Sequence, residues 1–339
     1  MPSADSLRAA QALAARPLGA PGQRESAVPV LFIAGFGRSG STLLDRLLGS
    51  TPGFHSGGEL CSVWKMGLVD DELCSCGAHF SRCRFWRAVG SDSFAALPAG
   101  ATEAIASYLR GILPARAIWR FFIPWTRRAI IRSAPADFFD VTGRFYRTVR
   151  DVSGDTAVVD SSKLASYLML LAHISAVDIR VVHLVRDPRA VMHSWLRPPV
   201  EDPEGRVLMP RFGAVKSALL WLAMNAAVEW TARRMHFPYV RVRYEDLVRD
   251  PAGVVTDVRS GIARQDLGVM RAAPNGEKAV DLDSGHIISG NPMRFRHGRV
   301  AIVEDDAWKA GPWGRRAIAA VITLPLRLRY GYVRRPGKA

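Results

Sequence analysis

The sequence predicts an α/β protein built on a P-loop-like, doubly wound parallel sheet flanked by helices, with a helical insertion. Apolar runs of strand length alternate with helical patterns along most of the 339 residues. The first such strand runs into a glycine-rich turn, GFGRSGST at residues 35–42, that opens a helix. A later run, IRVVHLV at residues 179–185, is almost continuously apolar, as befits a central parallel strand covered on both faces.

The elements follow in order. After the strand that starts near Val28, a helix beginning near Ser41 puts Leu43, Leu44, Leu47 and Leu48 on one face, and Gly49 and Pro52 end it. The chain then passes Phe54, Gly57 and Gly58 to Glu59, an acid in a glycine-flanked bend. Residues 90–150 are helical in pattern and form the predicted insertion. Within it, residues 113–132 interleave aromatics with arginines around Pro114 and Pro124. That composition fits a lid, a membrane-surface segment, or a plain helical insertion whose arginines snorkel. Residues 156–160 (TAVVD) read as a short buried strand, followed by Ser161, Ser162, Lys163 and an apolar helix over 164–174. After the 179–185 strand, Asp187 suits a helix cap and Pro188 the first helical position. Residues 212–235 form a long helix, 239–244 alternate as a strand, and another helix opens at Glu245. Pro325 argues against one continuous terminal helix. One domain is expected over 28–330, between a flexible segment at 1–27 and a basic tail at 331–339.

The formal charge of +15 comes mostly from arginine. These residues are spread along the chain with no nucleic-acid motif beside them, so no nucleic-acid partner is expected. Residues 1–27 lack the apolar core of a secretory signal, and no apolar run reaches the ~18 residues of a membrane span. A soluble, cytoplasmic protein is the expectation, with peripheral membrane contact through 113–132 left open and the oligomeric state undetermined. Cys61, Cys74, Cys76 and Cys83 fall in one segment, which points to free thiols or a metal site. The C-x-C-x6-C spacing matches no familiar zinc pattern. Zinc with Cys61 or His79 as a fourth ligand stands beside the alternative of a compact loop packed by its own thiols and by Phe80, Phe85 and Trp86.

The glycine-rich turn carries the first piece of chemistry. Converging backbone N–H groups and the helix dipole make an anion cradle there. A Walker A loop places lysine immediately before its Ser/Thr, whereas this chain has Gly40-Ser41-Thr42, with Arg38 in the bend instead. A magnesium-dependent kinase or nucleoside triphosphatase is thereby disfavoured but remains the alternative. Ligands of open parallel sheets bind beyond the strands' carboxyl ends. Three such ends carry anion-binding residues: Gly37 to Thr42, Ser161 to Lys163, and Arg186. Ser194 lies two helical turns beyond Asp187 and returns to the face of Arg186, so this pair suits a second phosphate. Two separate grips fit a nucleotide phosphorylated at two positions.

GFGRSGSTLL and LVRDPRAVMHSWL, followed by RVRYEDLVRDP and HIISGNPMRF, occur in an order that resembles sulfotransferases using 3′-phosphoadenosine 5′-phosphosulfate (PAPS). The resemblance is to bacterial members related to the tyrosylprotein and carbohydrate sulfotransferases and spans residues 28–308. It implies that Gly37, Arg38, Ser39, Gly40, Ser41 and Thr42 surround the 5′-phosphate, and that Arg186 and Ser194 hold the 3′-phosphate. It implies Glu59 as general base and Lys163, with Arg38, as cations that stabilise the transferring sulfuryl group. Ser289 and Arg294 rest on the HIISGNPMRF block alone. The implied cosubstrate is PAPS, and the acceptor is a hydroxyl of a small molecule, glycan or lipid, with no metal required. Acceptor specificity is expected in the loops at 90–150 and 197–211. Glu59 could instead close a turn, and Ser194 could bond its own preceding turn. His183 and His193 read as structural, and Glu245 and Asp246 as acids favouring a helix start.

Overall fold

The structure, a computed structural model, describes residues 27–198, 211–262, 279–282 and 285–333. The predicted N-terminal segment up to residue 26, the tail beyond 333 and most of the 197–211 loop lie outside the described residues. A five-stranded parallel sheet has the order β2-β3-β1-β4-β5, with β1 (Val28–Gly35) in the middle. Its other strands are β2 (Phe54–Ser56), β3 (Ala157–Lys163), β4 (Val177–Val185) and β5 (Tyr239–Arg243).

The period of two along each strand sorts side chains into two cores. Val28, Val30 and Phe32 of β1 join Val158, Ile179 and Val181 on one face, against Trp64, Trp86, Phe145 and Tyr167. Leu31 and Ile33 join Val159, Val182 and Leu184 on the other, against Leu43, Leu44, Leu47 and Leu48 of helix α1 (Ser41–Gly49). Both faces are covered, which is why the central strands read as unbroken apolar runs.

Between β2 and β3 the chain forms α2 (Arg84–Ser93), α3 (Ala101–Ile112), α4 (Trp119–Phe122), α5 (Pro124–Arg132) and α6 (Phe138–Ser153). Later helices are α7 (Ala165–Leu171), α8 (Pro188–Leu196), α9 (Ala214–Arg234), α10 (Tyr244–Arg249), α11 (Pro251–Ile262), α12 (Trp313–Ile322) and α13 (Leu324–Arg329). The last two are separated at Thr323, immediately before Leu324-Pro325. In the aromatic stretch at 113–132, Phe121 and Ile130 are buried while Trp119 and Trp125 are 55% and 72% exposed. Phe122 meets Trp230 of α9 edge-on, and Arg127 lies over the same ring. This stretch is therefore docked on α9, and no described helix is long and apolar enough to cross a membrane. Three strands had no sequence signal. The three-residue edge strand β2 is too short for a period to show, and an antiparallel pair, β6 (Ala279–Leu282) and β7 (Gly298–Ala301), forms across a long gap in sequence.

The chain moves from β1 to β2 and β3 on one side and then to β4 on the other, so the order reverses beside β1. A crevice at the carboxyl ends of the strands is expected at that point. The carboxyl ends of β1, β3 and β4 meet there.

Asp45, fully buried on α1, accepts a hydrogen bond from the Ser56 hydroxyl, and its Oδ1 has no partner. Burial, opposed by that hydrogen bond, raises its pKa to about 7. The unfolded carboxyl ionises near ~3.9, so its contribution to stability falls as pH rises from about 4 to about 7 and is flat above. Asp45→Asn removes this titration. The melting temperature of the variant should exceed that of the wild type by more at about pH 8 than at about pH 5, and an equal gap at both would refute the assignment.

Candidate active site

The turn after β1 is built from two backbone residues in the left-handed region, Arg38 (φ 69°) and Gly40 (φ 92°). Gly40 caps α1 with no side-chain hydrogen bond, and no acid lies in the first helical turn. The amides there stay available to an anion, and the dipole favours one. A Cβ on Gly40 would lie 2.5 Å from the Tyr244 ring, and one on Gly37 2.9 Å from Trp195. Tyr244 and Trp195 therefore clasp the turn from both sides. Ser41 and Thr42, both 8% exposed, begin the helix, with no lysine at the Walker position.

Arg38 lays its guanidinium over Trp195, 5.2 Å from the ring centroid. Burial and the neighbouring Arg197 both lower its pKa. Its Nε and the Ser39 hydroxyl are buried without hydrogen-bond partners. Orphaned donors in a positively charged cradle cost free energy that an arriving anion would relieve. The residues present thus fit a phosphate or sulfate group.

Arg186 leaves the end of β4 and is 6% exposed. It donates to the Arg38 carbonyl (3.2 Å), lies over the Tyr244 ring (4.3 Å to the centroid) and pairs with Asp305 (3.3 Å). Asp305 also pairs with Arg197 (2.7 Å). Burial works against the Asp305 charge, but the two arginines outweigh it and hold its pKa below the ordinary value. A cavity of about 230 Å³ opens here, lined by Arg186, Arg189, Tyr244 and Asp305 among others. Asp187 caps α8, accepting from the Arg189 amide (2.8 Å), and Pro188 takes the first position. Ser194 is buried on this helix next to Trp195, the residue that carries Arg38.

At the third strand end, β3 bulges. Phe32 of β1 pairs with Asp160 and Ala34 with Lys163, leaving one extra residue in β3. Lys163 closes the bulge in the left-handed region (φ 66°), a costly conformation for a residue with a Cβ. That geometry aims its ammonium at Glu59, with which it forms an ion pair across 104 residues of sequence, and at the Ser161 carbonyl (3.3 Å). Glu59 stands at the start of a short turn, Leu60–Ser62. Buried Asp160 braces that turn. It accepts from the Leu60 amide (3.4 Å), the Ser162 amide (2.8 Å), the Ser162 hydroxyl (2.5 Å) and the Tyr146 hydroxyl. The Ser162 hydroxyl in turn accepts from the Cys61 amide (3.0 Å).

A strap at residues 285–296 crosses the cleft. Gly290 (φ 137°) sits where an added Cβ would be 3.3 Å from Thr42 Oγ1 and 3.7 Å from Glu59 Oε1. The Asn291 amide donates to Thr42 Oγ1 (3.3 Å), and fully buried Arg294 donates to the Gly290 carbonyl (2.8 Å). Arg46 of α1 holds the strap's far end through the Met293 carbonyl (2.8 Å). Ser289, 6% exposed, precedes Gly290.

Loop, Arg186 and the Glu59–Lys163 pair are thus gathered on one edge of the sheet. Other polar residues have structural partners. Both ring nitrogens of His183 are engaged, by Tyr239 (2.7 Å) and Asn225 (2.8 Å). Glu245 accepts from the Asp187 amide (2.9 Å) and the Tyr332 hydroxyl (2.9 Å). His193 lines a separate cavity with Trp308 and Pro312. Sequence reasoning missed Asp160, Asp305 and Gly290 as parts of the site, and it took Ser162 within the Ser161 to Lys163 strand end as an anion ligand, whereas its hydroxyl is bonded to Asp160 and the Cys61 amide. An acid ending an apolar strand was the signal available for Asp160; Asp305 had none.

The family model described as the sulfotransferase family matches residues 29–262, more than half of the chain. Among solved structures, the sulfotransferase domain of the Synechococcus PCC 7002 olefin synthase is similar at 21% identity and TM-score 0.43, covering 94% of this chain and all of that one (100%). Sulfotransferase STF1 from Mycobacterium tuberculosis H37Rv is 16% identical (TM-score 0.34; 73% of this chain, 71% of that one). STF9 from Mycobacterium avium is 13% identical (TM-score 0.36; 76% and 67%). No curated protein matches the chain. None of these matches singles out the tyrosylprotein or carbohydrate branch. With the family model extending from the anion-cradling turn through all five strands of the sheet, the chain belongs to the sulfotransferase family.

Proposed function

We propose that this protein transfers a sulfuryl group from PAPS to a hydroxyl of a small-molecule, glycan or lipid acceptor, within one domain over residues 28–330. The observation that carries the reading is the space beside Gly290: a Cβ added there would stand within 4 Å of both Thr42 Oγ1 and Glu59 Oε1. A hydroxyl of the anion cradle and a carboxylate able to take a proton flank the same spot. PAPS supplies a sulfuryl group joined to its 5′-phosphate as a mixed anhydride.

The amides and hydroxyls of Ser39 to Thr42, with Gly37 and Gly40 shaping the turn, hold the 5′-phosphate, and Arg38 lends its unpartnered Nε. Arg186 and Ser194 hold the 3′-phosphate. Glu59 removes the acceptor proton as the acceptor oxygen bonds to sulfur and the bond from sulfur to the 5′-phosphate oxygen breaks. Lys163 orients Glu59 through their ion pair and places positive charge beside the oxygen on which charge develops. Ser289 and Arg294 act through the strap, which Arg294 fixes by its bond to the Gly290 carbonyl. No divalent metal is assigned a part in the transfer.

Transfer of labelled sulfate from PAPS into a cell extract tests the reading directly. Glu59→Gln should lower turnover by about 100-fold while leaving the affinity for adenosine 3′,5′-bisphosphate within about twofold. Undiminished turnover would remove Glu59 as the base. Tight binding of ATP, or activity abolished by a chelator, would favour the magnesium-dependent kinase alternative.

Arg186→Ala should weaken bisphosphate binding by about 10- to 100-fold, the worth of a charge-assisted hydrogen bond, and Ser194→Ala by less. Calorimetric titration with adenosine 5′-phosphate as control would read this. The loss must be confined to the ligand carrying the 3′-phosphate.

Asp305 competes with that phosphate for Arg186. Asp305→Asn should therefore tighten bisphosphate binding several-fold at low salt, and weaker binding would place Asp305 among the groups that shape the pocket rather than in competition with the ligand.

A further inference from the structure

Cys74, Cys76 and Cys83, from the segment between β2 and α2, meet His286 of the strap, 203 residues beyond Cys83. The Cys76 and Cys83 sulfurs are 3.7 Å apart, and those of Cys83 and Cys74 3.9 Å. Nδ1 of His286 is 3.3 Å from the Cys83 sulfur and 3.8 Å from that of Cys74. All four ligand atoms lie within 4.8 Å of one another. Zinc in a tetrahedral site has Zn–S near ~2.3 Å and Zn–N near ~2.0–2.1 Å, which gives S···S edges of about 3.8 Å and S···N edges of about 3.6 Å. The four measured edges fall within about 0.3 Å of those values. A disulfide would need ~2.0 Å between sulfurs, and these cysteines are free.

The surrounding backbone is built to present these atoms. The Gly77 amide bonds to the Cys74 carbonyl (2.9 Å) and the Cys74 amide to the Ala78 carbonyl (2.8 Å), turning the chain tightly around Cys74 and Cys76. Cys83 sits at the N-cap of α2, where the dipole favours a thiolate. From the other side, the Ser75 amide donates to the Ile287 carbonyl (2.9 Å) and the Ile287 amide to the Ser75 hydroxyl (2.8 Å), which locks His286 beside Cys74. The imidazole lies parallel to Phe85, 4.9 Å between centroids. The two fourth ligands considered from sequence are elsewhere. Cys61 lies against Ser62, and His79 donates from Nδ1 to the Asp71 carbonyl (2.6 Å).

We propose that Cys74, Cys76, Cys83 and His286 bind one structural zinc ion. Four protein ligands leave no open position for substrate, which separates this site from the transfer chemistry. Binding releases the thiol protons to solvent and ties the strap to the cysteine loop, four residues from Gly290. The ion joins parts of the chain that the sheet does not connect. It fixes the strap whether or not the reading of the reaction is right.

The test uses the full chain, purified without chelator or immobilised metal. Elemental analysis should find one zinc ion per chain, and exchange with cobalt(II) should give intense sulfur-to-metal charge-transfer bands with tetrahedral ligand-field bands. Cys76→Ser and His286→Ala should lose the metal, whereas Cys61→Ser and His79→Ala retain it. Should the first pair fail to fold, the wild-type cobalt spectrum still decides. The proposal is overturned if folded wild-type protein carries no zinc, gives no such spectrum with added cobalt(II) and exposes its thiols to a disulfide reagent. Full retention of zinc by folded His286→Ala, or its loss in His79→Ala, would equally overturn the ligand assignment.

Discussion

The cleft depends on one backbone event, the left-handed reversal at Arg38 and Gly40 that joins the central strand to α1. A right-handed path there would carry the chain onward and turn the α1 amides away from the sheet edge. The reversal points them back across the crevice, and Arg186 secures it by donating to the Arg38 carbonyl. A residue with a Cβ in that conformation costs on the order of 1–3 kcal/mol. Burial of β1 on both faces, with Phe32 and Ile33 fully enclosed, anchors the strand that leads into the turn.

The same region holds a second departure from minimum free energy. Lys163 is also left-handed, and the bulge that puts it there withdraws part of β3 from regular pairing with β1. Both strained residues are cations, and each is aimed at the edge where the strands end. Cations that are buried or half-buried need stabilising partners. Lys163 has Glu59, Arg186 has Asp305, and Arg38 has a ring face and an unpartnered Nε. Counter-charges with partial exposure can be exchanged for a ligand at modest cost, because solvent already screens them. Such an arrangement holds positive charge in place before an anion arrives and limits the reorganisation needed when it does.

Local features were legible in the sequence, and long-range ones were not. The strand, turn and helix at residues 28–49 could be read because apolar period, glycines and helix start are neighbours in the chain. The Asp187 cap with Pro188 was readable for the same reason. Glu59 and Lys163 were each singled out, but their ion pair spans 104 residues and no spacing announces it. The Asp160 network required knowing that β2 lies beside β3, and β2 has only three residues to show it. His286 escaped for the strongest form of this reason: sequence searches for a fourth ligand look near the cysteines, whereas the strap delivers it from the far end of the fold.

The strap explains how residues so distant in sequence shape one site. It adds no strand to the sheet, so sheet hydrogen bonds cannot hold it. At one end Ser75 and Ile287 exchange two hydrogen bonds, and at the other Arg46 grips the Met293 carbonyl while Asn291 caps the turn at Pro292–Phe295. Gly290 lies between these anchors, beside Thr42 and Glu59. Between the anchors, the Asn291 amide bonded to Thr42 Oγ1 and Arg294 bonded to the Gly290 carbonyl keep the centre of the strap beside the reacting groups. Together with the anchors, these bonds set how closely the Gly290 region is held over the cleft. The cysteine loop, far from the phosphate turn in sequence, consequently bears on the geometry at Glu59.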